Sequence, residues 1–88
     1  MDELGRLRMK YEQDGNVVEV YNSPKVCSLV VNGKVMDEYR GMVAGRFVLR
    51  GQIEHNGEFI PVSAEMGYLY MRLYYAHQCV GKKFMGLG

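Results

Sequence analysis

The dipeptide Asn56-Gly57 lies between two runs of alternating residues, 46–55 and 58–66. Asn-Gly enters the left-handed backbone of a type I′ turn with little strain, and the twist of that turn matches the twist of paired strands. A two-residue turn fixes the register. It sets His55 opposite Glu58, Glu54 opposite Phe59, Ile53 opposite Ile60, Gly51 opposite Val62, Leu49 opposite Ala64 and Phe47 opposite Met66. The last four pairs share one face, apolar except at Gly51. The other face carries Arg50 opposite Ser63, Gln52 opposite Pro61 and Val48 opposite Glu65. A slip of one residue would turn every apolar side chain to water.

The same logic recurs along the chain. Asp14-Gly15 pairs residues 6–13 with 16–21. Gln13 meets Asn16, Glu12 meets Val17, Tyr11 meets Val18, Lys10 meets Glu19, Met9 meets Val20 and Arg8 meets Tyr21. This predicts an ion pair at Lys10–Glu19 and a cation–π contact at Arg8–Tyr21. Asn22-Ser23-Pro24 breaks the pattern, because proline has no N–H for a ladder. Asn32-Gly33 then pairs Val31 with Lys34, Val30 with Val35, Leu29 with Met36, Ser28 with Asp37, Cys27 with Glu38 and Val26 with Tyr39. Both faces are apolar near that turn and polar further out, which suits a strand pair partly covered on both sides or one lying at a sheet corner. Residues 41–45, with two glycines, read as a flexible connection.

Beyond Gly67 the run Tyr68 to Tyr75 alternates with a period of two, which favours a strand over a helix. Leu69, Met71, Leu73 and Tyr75 fall on one face, and Tyr68, Tyr70, Arg72 and Tyr74 on the other. Residues 79–84 return as a last strand. Ala76-His77-Gln78 has no glycine, so the register there is open.

Four hairpins and no helix define an all-β, antiparallel meander of about eight short strands. It closes as a β-sandwich or a small up-and-down barrel. The 88 residues form a single domain, residues 1–88. The expected core comprises Met9, Tyr11, Val18, Val20, Leu29 or Val30, Phe47, Leu49, Ile53, Ile60, Val62, Leu69, Met71 and Leu73. Four-stranded sheets have edges, and a symmetric dimer is one way to cover them.

Composition narrows the function by exclusion. Eleven basic residues against ten acidic give a net charge of +1, too little for bulk attraction to DNA or an anionic membrane. No apolar run reaches the ~18 residues of a membrane span. The charged opening MDELGRLRMK lacks the apolar stretch of a secretory signal. Cys27 and Cys79 have no metal-type spacing and read as reduced thiols, with a disulfide as the alternative. Together these point to a cytoplasmic protein. His55 and His77 fall at turns without the spacing of metal ligands, and no metal or cofactor is expected. Cys79 lies two residues from His77, but no oxyanion device is legible near them. No catalytic residue is assigned, and the reading leans away from an enzyme.

The feature that does suggest function is the face bearing Tyr68, Tyr70, Arg72 and Tyr74. Lys82 and Lys83 follow on the next strand, and one of them shares that face. Arg50 joins it if its hairpin is adjacent. Tyrosine and arginine are the anchors of protein interfaces, and the same residues stack bases and hold phosphates. Plain tyrosines covering a sheet are the structural alternative.

Residues 26–84 resemble the small β-sandwich domains of the Fas apoptotic inhibitory molecule family. The likeness lies in Val30-Val31-Asn32-Gly33-Lys34, a glycine-containing connection before Phe47, and Tyr68-Leu69-Tyr70 leading to Leu73. The chain departs from that pattern at Ala76-His77-Gln78. The resemblance implies a non-enzymatic protein-interaction domain and carries over no catalytic residue.

The sequence therefore predicts a small non-catalytic β domain that binds a protein, or a second copy of itself as a homodimer, through Tyr68, Tyr70, Arg72, Tyr74, Lys82 and Lys83. Single-stranded nucleic acid or a glycan on the same face is the alternative. A small-ligand barrel is the third, disfavoured by bulky inward side chains.

Overall fold

A computed structural model describes residues 5–23, 26–40, 46–67 and 70–84. Eight antiparallel strands run in chain order: β1 (Arg6–Gln13), β2 (Asn16–Asn22), β3 (Val26–Val31), β4 (Lys34–Arg40), β5 (Phe47–His55), β6 (Glu58–Met66), β7 (Tyr70–Tyr75) and β8 (Gln78–Phe84). They form two four-stranded sheets, sheet A in the order β1-β2-β3-β4 and sheet B in the order β5-β6-β7-β8. The all-β meander is as expected, and the ladders do not close into a barrel.

All nine pairs fixed by Asn56-Gly57 occur, from His55–Glu58 to Phe47–Met66. Pro61 interrupts nothing. Its carbonyl accepts from Ala76 N–H at 2.8 Å, so its nitrogen also points toward β7, beyond the last paired residue of that strand. Asp14-Gly15, Asn32-Gly33, Asn56-Gly57 and Ala76-His77 all have positive φ at both positions, the signature of a type I′ turn. The fourth is the expected turn whose register was open, because it has no glycine to mark its left-handed positions. The Ala76 bond to Pro61 ties the turn to β6, and Tyr75 then meets Gln78.

Two expected registers change part-way along. In β1 an extra residue, Arg8, pairs Leu7 rather than Arg8 with Tyr21. The Arg8–Tyr21 contact is therefore lost. Lys10 is still opposite Glu19, but its ammonium pairs with Glu12 at 3.3 Å. In β4 the extra residue is Met36, so Leu29 meets Asp37, Ser28 meets Glu38, Cys27 meets Tyr39 and Val26 meets Arg40. A bulge also shifts β8 between Gly81 and Cys79. Bulges favour edge strands, where they bend the chain and blunt its open ladder.

The bulges explain how the sheets meet. Strand β4 lies beside β5, and β1 beside β8. At the first seam Met36 sits over Gly51, where an added Cβ would lie 2.9 Å from Met36 Cβ. Beside it the Asp37 carboxylate accepts Arg50 N–H at 3.0 Å. At the second seam Met9 sits over Gly81, and the Lys83 ammonium donates to the Arg8 carbonyl at 3.2 Å. Each seam thus packs a methionine of sheet A on a glycine of sheet B and satisfies one edge backbone group with a charged side chain. An edge that would otherwise be a template for another chain is partly sealed from within.

The core lies between the sheets. Val18, Val20, Cys27, Leu29 and Val31 face Leu49, Ile53, Val62, Ala64, Met66, Met71, Leu73 and Tyr75, all buried, with Met9, Tyr11, Phe47 and Ile60 packed at the margins. Leu29 and Val30 are both buried, because β3 is covered along its whole length. The outward Ser28 and Val30 are flanked by Tyr21 and Glu19 on one side and by Glu38 and Val35 on the other. Cys27 is buried and Cys79 exposed, both free, which removes the disulfide alternative. The expected core residue Leu69, Pro24 and the connection 41–45 lie outside the described residues. No helix among them is long and apolar enough to cross a membrane.

Candidate functional site

The outer face of sheet B is set by alternation. Because Met71, Leu73 and Tyr75 are buried, Tyr70, Arg72 and Tyr74 must point outward. Cross-strand pairing then builds two rows over the face. Val48, Glu65, Arg72 and Lys82 form one; Arg50, Ser63, Tyr74 and Cys79 form the next. Toward the Asn56-Gly57 turn follow Gln52 with Pro61, and Glu54 with Phe59.

The structure brings most of the expected residues together. Tyr70, Arg72, Tyr74 and Lys82 share the face, as does Arg50. Lys83 does not: it is opposite inward-facing Met71 and reaches across the seam to Arg8. It leaves the site because side chains alternate, so two successive lysines cannot share a face. Tyr68 lies outside the described residues. His77 sits exposed at the turn, and Cys79 directs its thiol to the Gly81 carbonyl at 3.5 Å, so His77 and Cys79 do not act as a pair. Among the described residues no three metal-ligating side chains converge.

The organising group is one the sequence reading passed over. Glu65, with 20% of its side chain exposed, lies 3.5 Å from the Arg72 guanidinium and 3.8 Å from that of Arg46. The Tyr70 hydroxyl donates to it at 3.2 Å. Arg72 in turn lies 4.8 Å over the Tyr70 ring, a cation–π distance. Burial opposes the Arg72 charge, but Tyr74, Glu65 and Tyr70 outweigh it and raise its pKa above the ordinary value. Arg46 is raised as well, through Tyr70 first and Glu65 next. The register that puts Glu65 opposite Val48 already assigned it to this face; only the pairing with Arg72 was missing.

Beside this cluster an open depression of about 400 Å³ is lined by Arg50, Gly51, Pro61, Val62, Ser63, Tyr74 and His77. It lies on the outer face of the sheet, not in an interior barrel. Its existence follows from size: Ser63 is short, while its neighbours Arg50 and Tyr74 are long. Toward the turn, Phe59 is 62% exposed, the largest apolar exposure among the described residues of this face. The face thus offers Phe59, Pro61, Tyr70 and Tyr74, rimmed by Arg46, Arg50, Arg72 and Lys82, with Glu65 among the cations and Glu54 near Phe59. No protein-family model, no curated protein and no solved structure matches the chain. Fold and face together define a class: a small all-β sandwich with a cation-rimmed aromatic sheet surface.

Proposed function

We propose that this chain is a non-catalytic binding domain that docks a protein partner on the outer face of sheet B. The observation that carries the reading is that one outer face carries Phe59, 62% exposed, half-buried Tyr70 and Tyr74, and four cationic side chains. Aromatic residues and arginine are enriched at the energetic centres of interfaces, where a rigid aromatic anchor loses little entropy on binding. Hairpin β5–β6 holds Phe59 in register over nine residue pairs, so the anchor is presented on a stiff support. The resemblance to the Fas apoptotic inhibitory molecule family implies the same kind of activity.

Single-stranded nucleic acid or a glycan is the weaker reading. Base stacking needs an open ring face, and one face of Tyr70 is taken by Arg72. Phosphate binding needs free cations, and Glu65 draws on two of the four.

Photocrosslinking tests the proposal. Benzoylphenylalanine in place of Phe59 is expected to yield a discrete protein adduct in cells that express the domain. The same group in place of Val35, exposed on sheet A, should not, and the adduct should weaken in the Tyr74→Ala background. Light scattering after size exclusion separates a second copy from another protein. Equal labelling from both faces, or none from Phe59, would sink the reading.

A further inference from the structure

We infer that the depression at Arg50, Ser63, Tyr74 and His77 is a carboxylate-binding subsite, which receives an aspartate or glutamate side chain of the docked protein. The inference rests on the reading of this face as a protein-docking surface and names what that partner must carry. Arg50, Ser63, Tyr74 and His77, four residues whose side chains carry N–H or O–H donors, line it, and the Tyr74 hydroxyl is shared with Arg72. Among the described residues neither the Arg50 guanidinium nor the Ser63 hydroxyl has a side-chain partner. Arg50 is committed only through its backbone N–H, to Asp37.

The adjoining row shows what such a donor set holds. There Arg72, joined by Tyr70 two residues before it on β7, grips the carboxylate of Glu65. One row along, Arg50 and Tyr74 flank Ser63, which is two residues from Glu65 on the same strand and the same face. The second row also sets an arginine and a tyrosine beside a β6 side chain, with the arginine on β5 rather than β7, and that side chain is the hydroxymethyl of Ser63 where the first row has the Glu65 carboxylate. The open depression stands over that short side chain, with room for a carboxylate brought from outside.

Charge selects carboxylate over phosphate. A carboxylate carries one charge, which the Arg50 fork can match in bidentate fashion. A phosphoryl group carries about −1.5 to −2 at neutral pH, and Glu65 in the adjoining row repels the excess. The ligand is therefore an acidic side chain next to an apolar contact for Phe59 and Pro61.

The test is a titration of the ¹⁵N-labelled domain, followed by amide shifts, with blocked hexaglutamate, hexaglutamine and a hexapeptide bearing phosphoserine. Hexaglutamate is expected to move the Arg50, Ser63 and Tyr74 amides saturably, and hexaglutamine is not. Arg50→Gln and Ser63→Glu, the second supplying the carboxylate from within, should each weaken binding about five-fold or more. Gln13→Glu on sheet A makes the same charge change as Ser63→Glu and should leave binding intact. The amide spectrum itself reports whether each variant is folded. No shift with hexaglutamate, or equal binding by Ser63→Glu and wild type, overturns the subsite. Tighter binding of the phosphoserine peptide overturns the choice of carboxylate. If hexaglutamate fails while Phe59 still crosslinks, the subsite falls and the docking face stands; if both fail, both fall.

Discussion

Two glycines sit at equivalent places in the two seams, yet adding a methyl group to each should have different consequences. At Gly51 the new Cβ would lie 2.9 Å from Met36 Cβ, 3.1 Å from Met36 Cγ and 3.5 Å from Leu29 Cδ2. The first contact is with an atom fixed to the bulged backbone of β4, so relief requires β4 and β5 to separate. Overpacking of this kind costs about 1–3 kcal/mol. Removing glycine from a strand returns about 0.5–1 kcal/mol, leaving a net loss of roughly 1–2 kcal/mol for Gly51→Ala. At Gly81 the nearest atom is Met9 Sδ at 2.8 Å, and the next two contacts are at an ordinary 3.6 Å. The thioether is the free part of an unbranched, adaptable side chain and can swing away. Gly81→Ala should therefore lie within about 0.5 kcal/mol of wild type. In an 88-residue domain the Gly51 loss lowers Tm by about 4–8 °C for each kcal/mol. Urea unfolding of both variants measures the difference. Amide exchange adds a local readout: Arg50 N–H, held by Asp37 at 3.0 Å, should exchange faster in Gly51→Ala and unchanged in Gly81→Ala. Equal losses at the two positions, or a protected Arg50 amide in Gly51→Ala, would refute the account of how the sheets are joined.

Three further outcomes follow from the turns and the buried thiol. Ala76 has φ of 54°, where asparagine is far more comfortable, so Ala76→Asn should raise stability by about 0.5–1 kcal/mol in thermal unfolding. Asn32→Gly should lower stability by about 1–2 kcal/mol despite suiting the turn, because Asn32 Oδ1 accepts Val17 N–H at 2.8 Å and its amide donates to Asn16 at 3.2 Å; no change would show that backbone conformation alone decides that position. Burial pushes the Cys27 thiol up to about 11 from 9.0. The folded state favours its neutral form, so the contribution is present below pH 9 and fades as pH rises toward 11. Alkaline unfolding of Cys27→Ala should lack that loss, and Ellman's reagent should label Cys79 quickly and Cys27 only on unfolding.

Most of the architecture was legible because glycine turns and alternation carry register. The Asn56-Gly57 hairpin was correct over every pair, since nothing in residues 46–66 interrupts the period of two. The errors came where a strand gained a residue. Nothing in the local sequence at Arg8 or Met36 marks a bulge; Met36, and Met9 beside Arg8, each pack on a glycine of the other sheet, a distant contact that a single hairpin does not encode. The register at the Ala76-His77 turn stayed open for the same reason, the turn being held by Pro61 rather than by its own composition. For the candidate site, Tyr70, Arg72 and Tyr74 were readable from alternation alone, whereas the choice between Lys82 and Lys83 waited on the β7–β8 register. Glu65 was not singled out, because its meaning depends on β6 lying beside β7 in a particular register. Phe59 was visible only as the partner of Glu54. Its exposure is a property of the tip of the hairpin, where no further strand remains to cover it.

The two seams are alike in space but far apart in the order of their making. Asp37 and Arg50 are 13 residues apart in the chain, whereas Arg8 and Lys83 are 75 apart. Closing the longer loop costs about 1.6 kcal/mol more in chain entropy, and it gains nothing until all four hairpins are in place. Chain entropy alone therefore favours the β4–β5 contact forming early and the clasp of Lys83 on Arg8 fastening late, an order that φ-values at the two seams would check. An interaction that forms after the transition state governs how slowly the molecule comes apart and leaves the rate of folding untouched. Strengthening the β1–β8 seam should lengthen the lifetime of the folded chain and leave the speed with which it folds unchanged.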